Sequence, residues 1–135
     1  MLKDYILVDT SAWYALFDED DKHHERANIF YDRNLSPFTT TNFIVDETLT
    51  LVKKRLGHRQ AVEAGKDLWN KELSSLIAIT PEDEATAWRI FQRYDDKGFS
   101  FTDCTTFAVM ERLKIPSVFT FDEHFEQYGR FKCLP

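Results

Sequence analysis

At 135 residues, with 43% hydrophobic and 15% aromatic content, the chain has the size and composition to fill one substantial core, which excludes a disordered or low-complexity protein. Its formal net charge of −6 argues against a broadly cationic, nucleic-acid-coating surface, unless clustered acids hold divalent cations that reverse the local field. No apolar run approaches the roughly 18 residues of a membrane span, and the first one is too short for a signal peptide, so one soluble cytoplasmic domain over residues 1–135 is expected.

Tyr5-Ile6-Leu7-Val8 is a short, continuous apolar run, the pattern of a strand buried on both faces, and it stops at Asp9-Thr10-Ser11, where a helix should begin. Ser11 to Glu19 and Lys22 to Arg33 read as two helices split by Asp18-Glu19-Asp20-Asp21, the second broken at Leu35-Ser36-Pro37. Phe38-Thr39-Thr40-Thr41 is β-branched and leads to Asn42, a good N-cap for a helix ending near Gly57. Val45, Leu49, Val52 and Leu56 form that helix's apolar stripe, and Lys53, Lys54 and Arg55 occupy its last turn, as the macrodipole favours.

A further helix should run from His58 to about Leu73, followed by a strand at Leu76-Ile77-Ala78-Ile79. Thr80-Pro81-Glu82-Asp83 is a strong start for a helix reaching about Asp95: a capping Thr, Pro in the first helical position, then acids. After the Lys97-Gly98-Phe99 loop, Ser100-Phe101-Thr102-Asp103 opens a helix that is apolar on most sides and therefore central. Ser117 to Phe121 is a fourth strand ending at Asp122, and a short helical piece to Gly129 leads to a final extended segment, Arg130 to Leu134. Strands and helices that alternate in this way imply a parallel α/β sheet of four to five strands in a three-layer α/β/α sandwich with right-handed crossovers.

Four acids stand out, although each has an ordinary structural role open to it. Asp9 could cap the first helix, a task Thr10 or Ser11 could also perform; Glu47 lies about 200° around its helix from Val45 and could simply be solvated. Asp103 completes a capping box with Ser100, and Asp122 could cap the piece from Glu123. Their joint placement is more informative. In a parallel sheet all carboxyl ends of the strands lie on one edge, where ligands bind at the switch in strand order. Asp9 and Asp122 end strands, and Glu47 and Asp103 are placed in first helical turns at that edge.

Carboxylates gathered there would repel, by about 4 kcal/mol for a pair at about 4 Å in an effective dielectric near 20. An oxygen-rich, His-poor set is what a hard cation such as Mg²⁺ or Mn²⁺ prefers. A pair of such ions suits phosphodiester hydrolysis.

These residues carry a resemblance. Leu7-Val8-Asp9-Thr10-Ser11-Ala12, the early-helix Glu47, Phe99-Ser100-Phe101-Thr102-Asp103-Cys104 and Phe119-Thr120-Phe121-Asp122-Glu123-His124-Phe125 resemble the PIN domain, particularly its VapC-type toxins, over the whole chain. The resemblance implies strand order 3-2-1-4-5, a metal-dependent endoribonuclease acting on RNA, the toxin role of a type II toxin–antitoxin pair inhibited by a small antitoxin protein, and a homodimer. It places Asp9, Glu47 and Asp103 at the three core acids and Asp122 at the fourth, more variable one. Ser11 and Thr120 match hydroxyl positions that orient water or a carboxylate. Cys104 stands where a small residue is usual and is expected to pack rather than react; both it and Cys133 are expected as free thiols.

His23, His24 and His58 read as solvated, and His124 as fixing the strand-to-helix turn rather than as a base. Trp13, Tyr14 and Phe17 read as core. Lys53, Lys54, Arg55 and Arg59 form the densest basic cluster, a helix-terminal charge run that could also meet RNA phosphates. A haloacid-dehalogenase-type phosphatase needs a second acid two residues after the first, where this chain has Ser11. A receiver domain needs a phosphoacceptor after the third strand, where Thr80 and Pro81 follow Ile79. The alternative that stands is a PIN-like module that binds RNA or a partner without cutting.

Overall fold

A computed structural model describes residues 1–135. Five strands, β1 (Ile6–Val8), β2 (Phe38–Thr41), β3 (Ser75–Ile77), β4 (Ser117–Phe119) and β5 (Lys132–Leu134), pair in parallel in the order β3-β2-β1-β4-β5. Flanking the sheet are helices α1 (Thr10–Phe17), α2 (His24–Arg33), α3 (Asn42–Leu56), α4 (His58–Trp69), α5 (Pro81–Arg93), α6 (Phe101–Leu113) and α7 (His124–Tyr128). The chain steps outward from β1 to β3, then returns past β1 to β4 and β5, so the order reverses between β1 and β4. That switch point creates a crevice beyond Val8 and Phe119, which are register partners.

β1 is apolar at every position because it is central and covered on both faces, as its run of Ile, Leu and Val requires. β2 reaches burial with threonines, whose hydroxyls must then find partners. Thr40 donates to the Val8 carbonyl at 2.9 Å and accepts from the Trp13 indole at 3.1 Å; Thr39 accepts from the Ser75 hydroxyl at 2.8 Å. Thr41 accepts from the Ile44 amide at 3.1 Å, and thus Thr41, not Asn42, caps α3. Asn42 instead accepts from the Ile79 amide at 2.9 Å, tying the start of α3 to the segment after β3.

Several boundaries differ from the expected ones because a strand lasts only as long as its partner. β3 stops at Ile77, opposite Thr41 at the end of β2, and β4 stops at Phe119, opposite Val8. α1 runs from Thr10 only to Phe17, and α2 starts at His24 rather than Lys22. α4 ends at Trp69 instead of Leu73, since Asn70 caps it and Lys71 takes a left-handed conformation (φ 58°). The closing extended segment is a true edge strand, β5, paired to β4.

α6 is buried along Asp103 to Met110, the central position its composition implied. Phe107, at its middle, stacks on Tyr128 (centroids 4.1 Å apart) and meets Phe125 edge-on at 5.2 Å, so it seats α7. Gly129 ends α7 with φ 78°, a left-handed cap that glycine adopts without a Cβ penalty. Trp13 and Tyr14 are buried, Phe17 partly so, and Cys104 is a buried free thiol raised by that burial to about 11.

An ion pair between a buried aspartate and an exposed arginine locks α5 to α6. Asp83 closes the α5 capping box with Thr80 and receives Arg112 in a fork, Nε at 2.7 Å and Nη2 at 2.9 Å. Burial pushes the Asp83 carboxyl up, but the guanidinium and the Thr80 donors outweigh it and hold the group low. Arg112→Ala would leave the buried Asp83 carboxylate without its partner, and a loss of about 3 kcal/mol is expected in denaturant unfolding. An unchanged midpoint would mean that the pair adds nothing.

Candidate active site

Asp9 follows β1 directly and is itself the N-cap of α1, so its structural and chemical readings coincide. Its Oδ1 accepts from the Ala12 amide at 3.2 Å and the Ser11 hydroxyl at 2.8 Å, while Oδ2 accepts from the Thr120 hydroxyl at 2.8 Å. Neither Thr10 nor Ser11 does the capping. Ser11 and Thr120 together stitch the ends of β1 and β4: Ser11 Oγ accepts from the Phe121 amide and Thr120 Oγ1 from the Asp122 amide, both at 2.9 Å. With only 5% of its surface exposed, Asp9 is pushed up to about 7; burial outweighs its three donors, and Asp122 adds repulsion.

Glu47 lies in the second turn of α3, not the first as expected. Helical side chains lean toward the N-terminus, so the carboxyl still reaches the sheet edge. There Oε1 accepts from the Thr10 hydroxyl at 2.5 Å. Glu47 is raised by burial and by the charges of Asp103 and Asp122, with Thr10 opposing.

Asp103 forms the expected capping box: its amide donates to Ser100 Oγ at 3.0 Å and its Oδ2 accepts from the Ser100 amide at 2.9 Å. The box orients the carboxylate and leaves Oδ1 without a hydrogen bond. Burial raises this group too, and Asp122 adds to the rise. Asp122 accepts the His124 amide on Oδ1 at 3.0 Å.

His124 does more than shape the turn. Its Nδ1 sits 2.8 Å from Asp103 Oδ2 and 3.3 Å from Asp122 Oδ1, which links two of the acids. Asp103, Asp122 and His124 each offer a ligand atom within 4.8 Å of the others. The sequence reading missed this role, for which the clue was His124 standing two residues after a loop aspartate. It also missed Asp46, which lines the same cavity as Asp9, Glu47, Asp103 and Asp122.

That cavity holds about 600 Å³ at the β1/β4 switch. Lys54 is its one basic lining residue, and no lysine or arginine forms an ion pair with any of the four acids. The rest of the basic cluster points elsewhere: Lys53 lines a neighbouring groove and Arg55 lies over the Tyr14 ring at 5.1 Å. Asp103, Asp122 and His124 supply the ligand atoms that lie within mutual reach and fit a divalent cation, while Asp9 and Glu47 line the same cavity outside that group.

The PIN domain profile matches residues 6–131. The chain is 35% identical to the 23S rRNA-specific endonuclease VapC20 of Mycobacterium tuberculosis over 133 residues, covering 96% of this chain and 98% of that one. It is 30% identical over 125 residues to a VapC ribonuclease of Archaeoglobus fulgidus, covering 88% and 78%. The crystal structure of M. tuberculosis VapC20, described as a Sarcin-Ricin loop cleaving toxin, superposes with a TM-score of 0.90 at 33% identity, covering 96% of this chain and 99% of that one. Fold, strand order and a profile match across nearly every residue agree, and the chain belongs to the PIN domain family of VapC-type ribonucleases.

Proposed function

We propose that this chain is a Mg²⁺- or Mn²⁺-dependent endoribonuclease, one domain over residues 1–135, acting in the cytoplasm as the toxin partner of a small antitoxin protein. The observation that carries the chemistry is the meeting of Asp9, Glu47, Asp103 and Asp122 on one cavity without a lysine or arginine ion pair. RNA as substrate and the toxin role rest on the relatives, two of which are named as RNA-cleaving enzymes and one of which is described as a toxin, and the antitoxin rests on the resemblance to VapC-type toxins.

In this reading the four carboxylates hold the cation, and Ser11 and Thr120 hold Asp9. Bound there, a divalent ion offsets the mutual repulsion and stabilises negative charge developing on the phosphate oxygens. Thr10 keeps Glu47 facing the cavity from α3. Glu47 Oε2 makes no hydrogen bond, which leaves it available as a ligand oxygen. His124 keeps Asp103 and Asp122 side by side.

The test is a metal titration of the purified chain with single-stranded RNA. Cleavage that rises with Mn²⁺ or Mg²⁺ and stops with chelator is the expected result. RNA binding with no cleavage at any metal concentration would favour the non-cutting module instead.

A further inference from the structure

A second recess, of about 260 Å³, opens on the other side of Asp122, which lines both it and the acid cavity. One wall is an aromatic stack: the rings of His23 and Phe121 are parallel within 3°, their centroids 4.4 Å apart. The Arg26 guanidinium lies 5.5 Å from the centre of the Phe121 ring. Glu123 and Glu126 stand on the rim.

The stack is rigidly registered to the acid site. The Phe121 amide donates to Ser11 Oγ at 2.9 Å, and the same hydroxyl donates to Asp9 at 2.8 Å. His23 is the N-terminal boundary residue of α2: its backbone amide donates to Asp21 and its carbonyl accepts from the Ala27 amide, but its side chain makes no capping or other hydrogen bond. Its half-buried imidazole is therefore spent on the stack alone.

The chemistry of the recess selects its occupant. Three carboxylates, Asp122, Glu123 and Glu126, against one guanidinium disfavour a phosphate. A flat π-surface, one stacking cation and acceptors at the rim are what an unstacked base of single-stranded RNA requires. Carboxylates accept from base N–H groups. Guanine offers adjacent N1–H and N2–H donors, whereas uracil would turn carbonyl oxygens toward the acids.

We propose that this recess binds one unpaired nucleobase of the RNA next to the phosphodiester in the acid cavity, stacked on the outer face of the His23 ring that Phe121 and Arg26 back from the other side, with Glu123 and Glu126 accepting its N–H donors. The proposal rests on the ribonuclease reading above.

The experiment digests a single-stranded RNA pool, randomised in sequence, with Mn²⁺ and sequences the cut ends for the wild-type chain, His23→Ala, Arg26→Ala and Glu126→Gln. The wild type should favour one base, guanine above all, at a fixed position beside the cut. His23→Ala and Arg26→Ala should flatten that preference and raise KM about tenfold with little change in kcat, since stacking of one base is at stake. Glu126→Gln should change which base is favoured. A 2-aminopurine at that position in an RNA bound without divalent metal should be quenched by the wild type and not by His23→Ala. Unaltered preference, KM and quenching in the variants would overturn the recess proposal and leave the ribonuclease reading standing. A wild type that cuts no RNA would overturn that reading, and the recess proposal with it.

Discussion

Asp103→Asn and Asp9→Asn are each expected to lower Mn²⁺-dependent RNA cleavage by about 10³-fold or more, as loss of charge at a site built to hold a cation should. Both substitutions are chosen to spare the fold. Asn keeps an acceptor oxygen for the Ser100 amide at position 103 and for the Ala12 amide at position 9, so both helix caps persist. The side-chain amide introduced by Asp9→Asn can still meet the Thr120 hydroxyl, which accepts as readily as it donates. Single-turnover cleavage together with circular dichroism separates the two effects. A folded variant of either kind that cuts at the wild-type rate would remove these acids from the chemistry.

The second large effect is on stability and runs in an unusual direction. Asp9 has an ordinary value of 3.8 and stands at about 7 in the folded, metal-free chain, so the folded state holds its proton more tightly than the unfolded one. Its favourable contribution is therefore complete below about pH 4 and is lost as pH rises through 7, a change of about 4 kcal/mol. The metal-free protein should lose thermal stability across that window. Asp9→Asn should flatten the loss and be the more stable of the two at pH 8. Asp83 acts with the opposite sign, because its depressed carboxyl contributes above its unfolded value and fails as pH falls.

Divalent cation should reverse the loss. An ion bound only by the folded state stabilises it by about 2.7 kcal/mol at a hundredfold excess over Kd. Mn²⁺ should thus raise Tm of the wild type near pH 8 and leave Asp9→Asn nearly unmoved. A wild-type Tm that is flat from pH 4 to 8 and indifferent to Mn²⁺ would mean that Asp9 is neither strained by burial nor poised for metal.

What the amino-acid order alone determined was everything local or periodic. The apolar run before Asp9, the Thr80 and Ser100 capping boxes, the stop at Gly129 and the strand–helix alternation all follow from contacts within a few residues, and from them came the α/β class, most elements and the common edge for the four acids. Matters that depend on a distant partner were decided only by the tertiary structure. β3 and β4 are trimmed by the strands beside them, Thr41 displaces Asn42 as cap because Asn42 is held by Ile79, and Ser11 and Thr120 become partners of Asp9 across 109 residues of separation between them. His124 and His23 each read as ordinary turn or surface residues in the sequence. One joins the acids and the other stacks on Phe121, because side-chain direction at a sheet edge is set by packing across the switch point, which no local pattern records.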